Sequence, residues 1–330
     1  MIRQTWQEWL PPTVLARFIG AIANHLNWRA LLIQCALTLA VPAQAGVVLQ
    51  DDAGRDVRLA APAQRIISLS PHITELLFAA GAGERIVGAV EYSDYPEAAK
   101  KIPRIGDSQR LDLERIARLK PDLLVAWQHG GERVIDQAKR LGVPVFLSNS
   151  KKLANIPATI EAIGKLAGVE TSAQRASGAF RTRLNKLAQL HANKPPVRVF
   201  FQIWNSPVMT INSEHLISDA LRTCGGVNVF AALPLLAPVI DTEAVLAANP
   251  DIIIASGDDE KRPSWLDDWN AWPRITAVRN QQITSIPSGM ITRHSPRILD
   301  GIELLCRQLD TVRAATARNL SVQPLQTGTK

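Results

Sequence analysis

Two stretches of the chain follow one pattern about 130 residues apart: LERIARLKPDLLVA at residues 113–126 and TEAVLAANPDIIIA at residues 242–255. Each has a glutamate in second place, Glu114 or Glu243, then a short helical period, Pro-Asp and an apolar run. The pattern does not recur at a fixed period, so a solenoid of many repeats is not expected. The sequence therefore predicts two related lobes.

Strand and helix patterns alternate through both halves of the chain. The 330 residues are enough for two domains of ordinary size, each with its own core. Alternation of apolar runs with amphipathic helical periods predicts βαβ units and mostly parallel sheets. The predicted strands are residues 65–70, 85–90, 122–127 and 143–148 in the first half, and 197–204, 251–256 and 282–287 in the second.

A continuous helical period joins the two halves. Residues 171–194 keep Ala173, Phe180 and Leu187 on one face before Pro195-Pro196 ends the pattern. About 20 helical residues make a rod of some 30 Å, which predicts restricted hinging between the lobes. The predicted lobes are 46–170 and 195–315, and the polar residues 316–330 are predicted to be a disordered tail.

The first 45 residues have the features of a secretory signal peptide. Arg29 precedes an apolar run from Ala30 to Val41, and Ala43-Gln44-Ala45 supplies small residues before Gly46. The run is shorter than the roughly 20 apolar residues that span a bilayer. A buried N-terminal helix is the alternative. Cleavage before Gly46 would give an exported, periplasmic protein.

Charge and motifs exclude several classes of function. The formal net charge is +7, and it falls to about +5 without the leader, which carries three arginines and one glutamate. The chain has no dense Lys/Arg stripe interleaved with aromatics, so nucleic-acid binding has little support. It also lacks GxSxG, HExxH and a GxGxxG that follows a strand, and its six histidines suggest no catalytic triad. We therefore do not expect an enzyme.

Two cysteines remain after the leader, because Cys35 lies within it. In an oxidising compartment Cys224 and Cys306 would either pair or remain two buried thiols. A disulfide between them would close a loop of roughly 80 residues, worth about 4.5 kcal/mol by the chain-entropy estimate. A metal site is not expected, since no CxxC or histidine-rich segment accompanies them.

The segments RIISLSPHITELLFAAGAGERIVGAVEYSDYP, LDLERIARLKPDLLVAW, VFFQIWNSPVMTINSEHLISDALRTCGGVNVF and HSPRILDGIELLC together resemble one known family. They resemble the periplasmic vitamin B12-binding proteins of ABC importers, over nearly all of the chain after the leader. The resemblance implies an α/β fold of two Rossmann-like lobes with mostly parallel sheets, joined by one long rigid helix, with the ligand cleft between the lobes. It also implies the disulfide Cys224–Cys306.

The resemblance implies cobalamin as the transported ligand, without a resident cofactor or metal. A corrin is a broad apolar plate fringed with amides, which suits aromatic walls and a few hydrogen-bonding groups. Tyr92, Trp127 and Arg293 match ligand-facing residues of the family, and Trp204 ends a strand pattern in the second half as Trp127 does in the first. The best-known members carry further aromatics and an aspartate at four other positions, which here are Ser108, Met209, Ala237 and Gly289.

Several aromatic residues and His72 have alternative interpretations, most of them structural. Trp127 or Trp204 could serve packing alone, and Tyr95 beside Pro96 is expected to be structural. The tryptophans at 265, 269 and 272 could form a helical core stripe, which we favour, or a lid on the cleft. His72 is conceivable as an axial cobalt ligand, although a hydrogen-bonding or solvated histidine is the expectation.

The repeated glutamates have a separate interpretation. In the resembling family, the glutamates that match Glu114 and Glu243 dock into arginine pockets of a permease dimer in the inner membrane. The predicted function is therefore a monomeric periplasmic binding protein that delivers cobalamin to an ABC transporter. A receptor for haem or an iron siderophore on the same fold is the alternative, because Tyr92 or His72 could serve haem.

Overall fold

The structure is a computed structural model that describes residues 46–107, 109–257 and 261–322. The predicted signal peptide, residues 1–45, lies outside the described residues, as does the end of the predicted tail, residues 323–330. Within the described part of the chain, no helix is long and apolar enough to cross a membrane.

The first lobe contains a small hairpin and a parallel sheet. The hairpin pairs β1 (Val47–Gln50) with β2 (Asp56–Leu59) in antiparallel register. The sheet is wholly parallel, in the order β4-β3-β5-β6, and its strands are β3 (Ile66–Ser68), β4 (Ile86–Ala89), β5 (Leu123–Trp127) and β6 (Val145–Ser148). The helices are α1 (Pro71–Ala80), α2 (Leu113–Arg118), α3 (Glu132–Lys139) and α4 (Ile156–Ala167), with short 3-10 turns at Gly83–Arg85, Glu97–Lys101 and Leu153–Asn155.

One long helix, α5 (Glu170–His191), leads from the first lobe to the second. It was predicted at residues 171–194 and differs from that range by one residue at its start and three at its end. The buried side chains of Ala173, Phe180 and Leu187 lie on the predicted face. They belong to an apolar cluster that continues from the first lobe into the second. Each fully buried large side chain of this kind contributes about 1.5–3 kcal/mol.

The second lobe contains another parallel sheet, in the order β8-β7-β9-β10. Its strands are β7 (Val197–Gln202), β8 (Gly226–Asn228), β9 (Ile252–Gly257) and β10 (Ile283–Pro287). The helices are α6 (Leu216–Thr223), α7 (Thr242–Ala248), α8 (Thr276–Arg279), α9 (Ser288–Ile291) and α10 (Ile298–Val322), and Ser264–Ala271 forms a 3-10 helix.

The two sheets have the same strand order. In each lobe the first strand of the sheet lies between the second and third in chain order, and the fourth lies outside the third. The repeated segments occupy equivalent places, since α2 leads into β5 and α7 leads into β9. The prediction of two related α/β lobes with parallel sheets is therefore confirmed.

The Pro-Asp of each repeat turns the chain from helix to strand. Lys120 and Asn249, the residues before the two prolines, have left-handed φ values of 46° and 42°. Each following aspartate donates its backbone N–H to the carbonyl of an arginine at the neighbouring strand: Asp122 to Arg65 at 3.0 Å and Asp251 to Arg198 at 2.8 Å. The two repeated segments therefore form the same helix-to-strand turn, one in each lobe.

Both ends of helix α1 are set by residues of its own sequence. Ser70 has extended backbone before Pro71, which is tolerated in the first turn because its missing N–H would be unpaired there. Gly81 ends the helix at φ 91°, and a Cβ at this position would meet the Ser172 side chain of α5 at 2.8 Å. The glycine therefore permits both the turn and the close approach of α5.

The predicted disordered tail at 316–330 is wrong in its first part. Helix α10 continues through Val322, and the Thr316 hydroxyl donates to the Val312 carbonyl at 3.1 Å. The segment TVRAATARNL is rich in alanine and arginine, which favour helix even where little apolar surface is buried.

Candidate functional site: the cleft between the lobes

The carboxyl ends of strands from both sheets face one cavity of about 760 Å³. The first lobe contributes Trp127 from the end of β5 and Asn149 just after β6. The second lobe contributes Ile203 just after β7 and Ser256 near the end of β9. Open α/β sheets bind ligands at this edge, and the volume is typical of small-molecule sites.

Two further cavities share walls with this one. A cavity of about 520 Å³ in the first lobe shares Trp127 and His129 and reaches Tyr92. A cavity of about 600 Å³ in the second lobe shares Ile203 and Ser256 and reaches Trp204. The cleft therefore continues across both lobes, with an exposed aromatic side chain toward each end.

Trp127 lies in the wall shared by two of these cavities. Its ring is surrounded by three imidazoles, with centroid distances of 5.5 Å to His72, 5.8 Å to His129 and 5.7 Å to His294. The indole Nε1 is buried and has no hydrogen-bond partner in the structure. Buried donors of this kind normally find a partner, so a bound water or ligand acceptor would satisfy this one.

Three histidines at or beside the cleft are held neutral. Burial lowers the pKa of His72 to about 3, with His294 and Arg293 as further causes. Burial likewise lowers the pKa values of His215 and His294 to about 4. His72 also shares a 2.8 Å hydrogen bond between its Nδ1 and the hydroxyl of Ser70. At neutral pH these side chains give the cleft polar groups without net charge.

Tyr92 stands at the mouth of the first-lobe cavity. Its side chain is 78% exposed and its φ is 63°, a left-handed conformation that is uncommon for a bulky residue. An exposed ring beside a concave surface is available for stacking against a flat ligand. This placement agrees with the predicted ligand-facing role without testing it.

Trp204 lies beyond the end of β7 and is 61% exposed. Its backbone pairs with Met209 in an isolated bridge, and its indole Nε1 donates to the Ser206 carbonyl at 3.1 Å. Its ring shares the wall of the second-lobe cavity with Trp265. The structure thus places Trp204 on the cleft side of the second lobe, at the end opposite Tyr92.

Arg293 is engaged by the first lobe. Its Nη1 donates to Glu75 at 2.7 Å and to Asp94 at 2.9 Å, and its Nη2 donates to the Tyr92 carbonyl at 3.3 Å. Burial raises the pKa of Glu75, and the hydrogen bonds from Ser295 and Arg293 oppose that rise. At least three of the five N–H donors of the guanidinium are therefore used between the lobes.

Glu114 and Glu243 occupy matching exposed positions. Each is the second residue of its helix, α2 or α7, and each helix is capped by an aspartate that accepts a backbone N–H, Asp112 or Asp241. Both glutamates are exposed, and Glu114 forms an ion pair with Arg118. An exposed pair of this kind contributes little to stability, which leaves the carboxylate available to a partner.

The remaining aromatic residues divide between core and cleft. Trp269 is buried, donates its Nε1 to Gln202 at 2.8 Å and packs edge-on to Phe200. Trp265 is half-buried in the cavity of Trp204, and Trp272 is 39% exposed. Trp265 also packs against the apolar cluster that contains Trp269. The favoured core stripe therefore holds for these two tryptophans and is wrong for Trp272, because a 3-10 helix does not keep all three side chains on one face.

The disulfide implied by the resemblance is present. Cys224, at the end of α6, is bonded to Cys306 on α10, with a Cα–Cα distance of 4.8 Å. Both side chains are buried. Among the described residues, no group of three or more His, Cys, Asp or Glu side chains is arranged to hold a metal ion.

Comparison with known proteins gives the class of the molecule. Residues 66–289 match the family model described as periplasmic binding protein, which covers more than half of the chain. The chain therefore belongs to the periplasmic binding protein family. Its lobes, its parallel sheets and its long α5 are those of a substrate-binding protein.

Several individual members of this family are similar to the chain in sequence, in structure or in both. A vitamin B12-binding protein of Vibrio cholerae serotype O1 is 36% identical over 250 residues, which span 75% of this chain and 90% of the relative. The crystal structure of the periplasmic vitamin B12 binding protein BtuF of Vibrio cholerae matches with a TM-score of 0.69 and 35% identity, covering 76% of this chain and 98% of that one. The haem-binding protein HutB of the same species has a TM-score of 0.66 at 22% identity, covering 74% of this chain and 98% of that one, and shows the shared fold alone.

Some residues of the cleft were not singled out from the sequence. His294 and His215 carry no motif that marks them, although His294 adjoins the predicted Arg293. Glu75 lies on α1, and its partners Arg293 and Ser295 are about 220 residues away in the chain. The apolar run at residues 233–239 precedes Glu243 and places Leu236 in the central cavity. Its position between two elements could have marked it as a cleft loop.

Proposed function

We propose that the protein is a periplasmic substrate-binding protein that captures cobalamin and delivers it to an ABC transporter. The observation that carries this proposal is the position of Trp127, in the wall of the inter-lobe cleft, in a chain 36% identical to a curated vitamin B12-binding protein over 90% of that protein's length. A broad apolar plate with amide side chains suits this cleft, because its walls are aromatic and its buried histidines are neutral.

The proposed ligand contacts are Tyr92, Trp127, Trp204 and Arg293. Tyr92 and Trp204 are the exposed rings toward the two ends of the cleft, and Trp127 is the wall between them. Arg293 retains N–H donors beyond those used between the lobes, and these can serve an amide oxygen of the ligand. The four residues thus surround a flat ligand that bridges both lobes.

Glu114 and Glu243 are the proposed contacts with the permease. Their equivalent places on related lobes suit a two-fold partner, since equivalent subunits offer equivalent cationic pockets. Charge-assisted bonds from arginine to carboxylate would give the docked complex its orientation. In this proposal the protein is a monomer that performs no chemistry on its cargo and requires no cofactor.

The proposed periplasmic location depends on cleavage of the N-terminal signal peptide. Removal of residues 1–45 by signal peptidase would release a periplasmic protein that begins at Gly46. Intact mass of the protein from the periplasm should show this loss, together with a deficit of two hydrogens for the disulfide. A mass that retains the leader would contradict the proposed processing.

Absorbance of the purified protein distinguishes cobalamin from haem. The protein is incubated separately with cyanocobalamin and with haemin, and each sample is desalted. We expect the corrin spectrum to elute with the protein and the haem spectrum to be lost. Retention of haem, with Tyr92 or His72 as its ligand, would favour the alternative receptor.

A further inference from the structure

A cluster of polar contacts centred on Glu75 joins the two lobes at the edge of the cleft. Glu75 lies on α1 of the first lobe and is 4% exposed. One of its oxygens, Oε1, accepts from Arg293 at 2.7 Å, and the other, Oε2, accepts from the Ser295 hydroxyl. The Arg297 guanidinium lies 3.9 Å from the same Oε1. Three side chains of the second lobe thus converge on one buried carboxylate of the first.

The same second-lobe segment also holds the first-lobe loop at residues 92–95. Arg293 donates to the Asp94 carboxylate at 2.9 Å and to the Tyr92 carbonyl at 3.3 Å. The Arg297 guanidinium stacks over the Tyr95 ring at 4.5 Å from its centroid. The loop that carries the exposed Tyr92 ring is therefore tied to the second lobe through its backbone and two of its side chains.

Burial makes Glu75 the fixed member of this cluster. A carboxylate removed from water must be paired and hydrogen-bonded, and its loss would leave the half-buried Arg293 without its main partner. Asp94, by contrast, is 45% exposed in its side chain and can be solvated when the contact opens. Glu75 is therefore the buried partner that holds Arg293 in this position.

Tyr92 needs support of this kind. Its φ of 63° is left-handed, and such a conformation costs on the order of 1–3 kcal/mol in a bulky residue unless its surroundings impose it. The bond from Arg293 to its carbonyl holds this backbone while the ring remains exposed at the cavity. A chain of contacts thus leads from Glu75 through Arg293 to Tyr92.

We propose that Glu75 is a positioning residue for ligand binding: it holds Arg293, which fixes Tyr92 at the mouth of the cleft and keeps the two lobes at one separation. The part that concerns the ligand rests on the proposed binding of cobalamin. Glu75 itself touches no ligand in this account. Its effect on affinity is transmitted through the two residues that it orders.

The chain offers a matched control in Glu161. Its carboxylate also accepts from one serine and one arginine, Ser177 at 2.6 Å and Arg181 at 2.8 Å, but these contacts join α4 to α5 away from the cleft. Glu75→Gln and Glu161→Gln therefore remove the same charge from the same kinds of donor, although the Glu161 side chain is 34% exposed and that of Glu75 is 2% exposed. Only the former should alter the cleft.

The first measurement uses ligand-free protein. Nitroxide labels are attached to cysteines introduced at the exposed positions Arg140, in the first lobe, and Arg274, in the second, and the distribution of distances between them is recorded. We expect one narrow distribution for the wild type and for Glu161→Gln, and a broader one for Glu75→Gln. An unchanged distribution in Glu75→Gln would overturn the positioning role.

The second measurement is cyanocobalamin affinity by titration. We expect Glu75→Gln to weaken binding about tenfold, the effect of losing one charged hydrogen bond. Tyr92→Ala should weaken the wild type but add little to Glu75→Gln, since Tyr92 is already misplaced there. A residue that served stability alone would give additive effects on affinity, and additivity would overturn the proposal.

A second variant and a measurement that needs no ligand allow the proposal to be tested even if the first experiments fail. If Glu75→Gln does not fold, Ser295→Ala removes one donor from the same carboxylate and should broaden the distances in the same direction. If the wild type binds no cobalamin, the proposed function fails and the distance distributions alone decide on the positioning role.

Discussion

The carboxylates of Asp122 and Asp251 make equivalent hydrogen bonds in the two lobes. Asp122 accepts the backbone N–H groups of Gln64 at 2.7 Å and Arg65 at 3.0 Å, and Asp251 accepts that of Arg198 at 2.8 Å. Each bond ties the start of one sheet strand to the start of its neighbour. The Pro-Asp of the repeat is therefore a structural element of each lobe, separate from the glutamate eight residues before each aspartate.

Loss of these bonds should destabilise the fold moderately. We expect Asp122→Ala to lower the free energy of unfolding by about 1–2 kcal/mol, because Asp122 accepts two N–H groups, and Asp251→Ala to lower it by about 1 kcal/mol, because Asp251 accepts one. All three hydrogen bonds are exposed to solvent, which keeps these values small. Urea unfolding followed by circular dichroism measures both. Asp136→Ala, which removes a surface pair with Lys139, is the control and should change little. Equal effects of all three substitutions would contradict the role assigned to the Pro-Asp turn.

The disulfide should contribute strongly to stability. Cys224 and Cys306 are 82 residues apart, and a loop of that length gives about 4.5 kcal/mol by the chain-entropy estimate. The double variant Cys224→Ser/Cys306→Ser should unfold at lower urea concentration by a corresponding amount. Unfolding of the wild type in reducing buffer provides the comparison. A double variant as stable as the oxidised wild type would show that the pairing constrains the unfolded chain little.

Acid should destabilise the protein through its buried histidines. In the folded protein the pKa of His72 is about 3 and those of His215 and His294 are about 4, against an ordinary value of 6.5. Between these values the unfolded chain binds more protons, so stability is full above about pH 6.5 and falls as the pH falls. Glu75 acts in the opposite direction, because burial raises its pKa.

A variant that lacks the titratable imidazole of His72 isolates this effect. His72→Gln should flatten the decline in the free energy of unfolding between pH 6.5 and 4, since each unit of pKa shift is worth about 1.4 kcal/mol. The free energy is obtained by urea unfolding at several pH values. If the variant and the wild type decline in parallel, His72 is not the buried neutral group described here.

The strands of the two parallel sheets could be predicted from the sequence more fully than the contacts of the candidate ligand site. Most of the seven predicted strands are short apolar runs, and all seven form near their predicted places, because burial on both faces of a parallel sheet requires such runs. Strand β8 was not predicted, because Gly226–Asn228 has only one apolar side chain, Val227, which is 48% exposed. Its pairing is set by β7 rather than by its own composition.

The site depends more on contacts between distant residues. Trp127 could be predicted, because strand ends in a parallel sheet meet at one edge. The partners of Arg293 could not, since Glu75 is 218 residues away and no local pattern relates the two. The neutral histidines around Trp127 are likewise brought together by folding. These contacts form only when the chain folds and its lobes pack together, so the local sequence pattern does not predict them.

Docking should depend on both repeated glutamates. Glu114→Ala and Glu243→Ala should leave cobalamin affinity unchanged, because both side chains are exposed on helices that do not form the cleft walls described here. Cobalamin uptake by cells should fall in each variant and most in the double variant, since each glutamate would engage one permease subunit. Normal uptake by the double variant would refute the docking role. Lost cobalamin affinity would place the glutamates in the ligand site instead.

Calorimetric titration of the mature protein with cyanocobalamin tests the central claim most directly, with Trp127→Ala beside the wild type. The account predicts one cobalamin per protein and a loss of about 1–3 kcal/mol of binding free energy in Trp127→Ala, as for a buried aromatic anchor. The variant should also show less quenching of tryptophan fluorescence by the corrin. Absence of binding by the wild type would contradict the proposed ligand, and equal affinity of Trp127→Ala and the wild type would contradict the placement of cobalamin between the lobes.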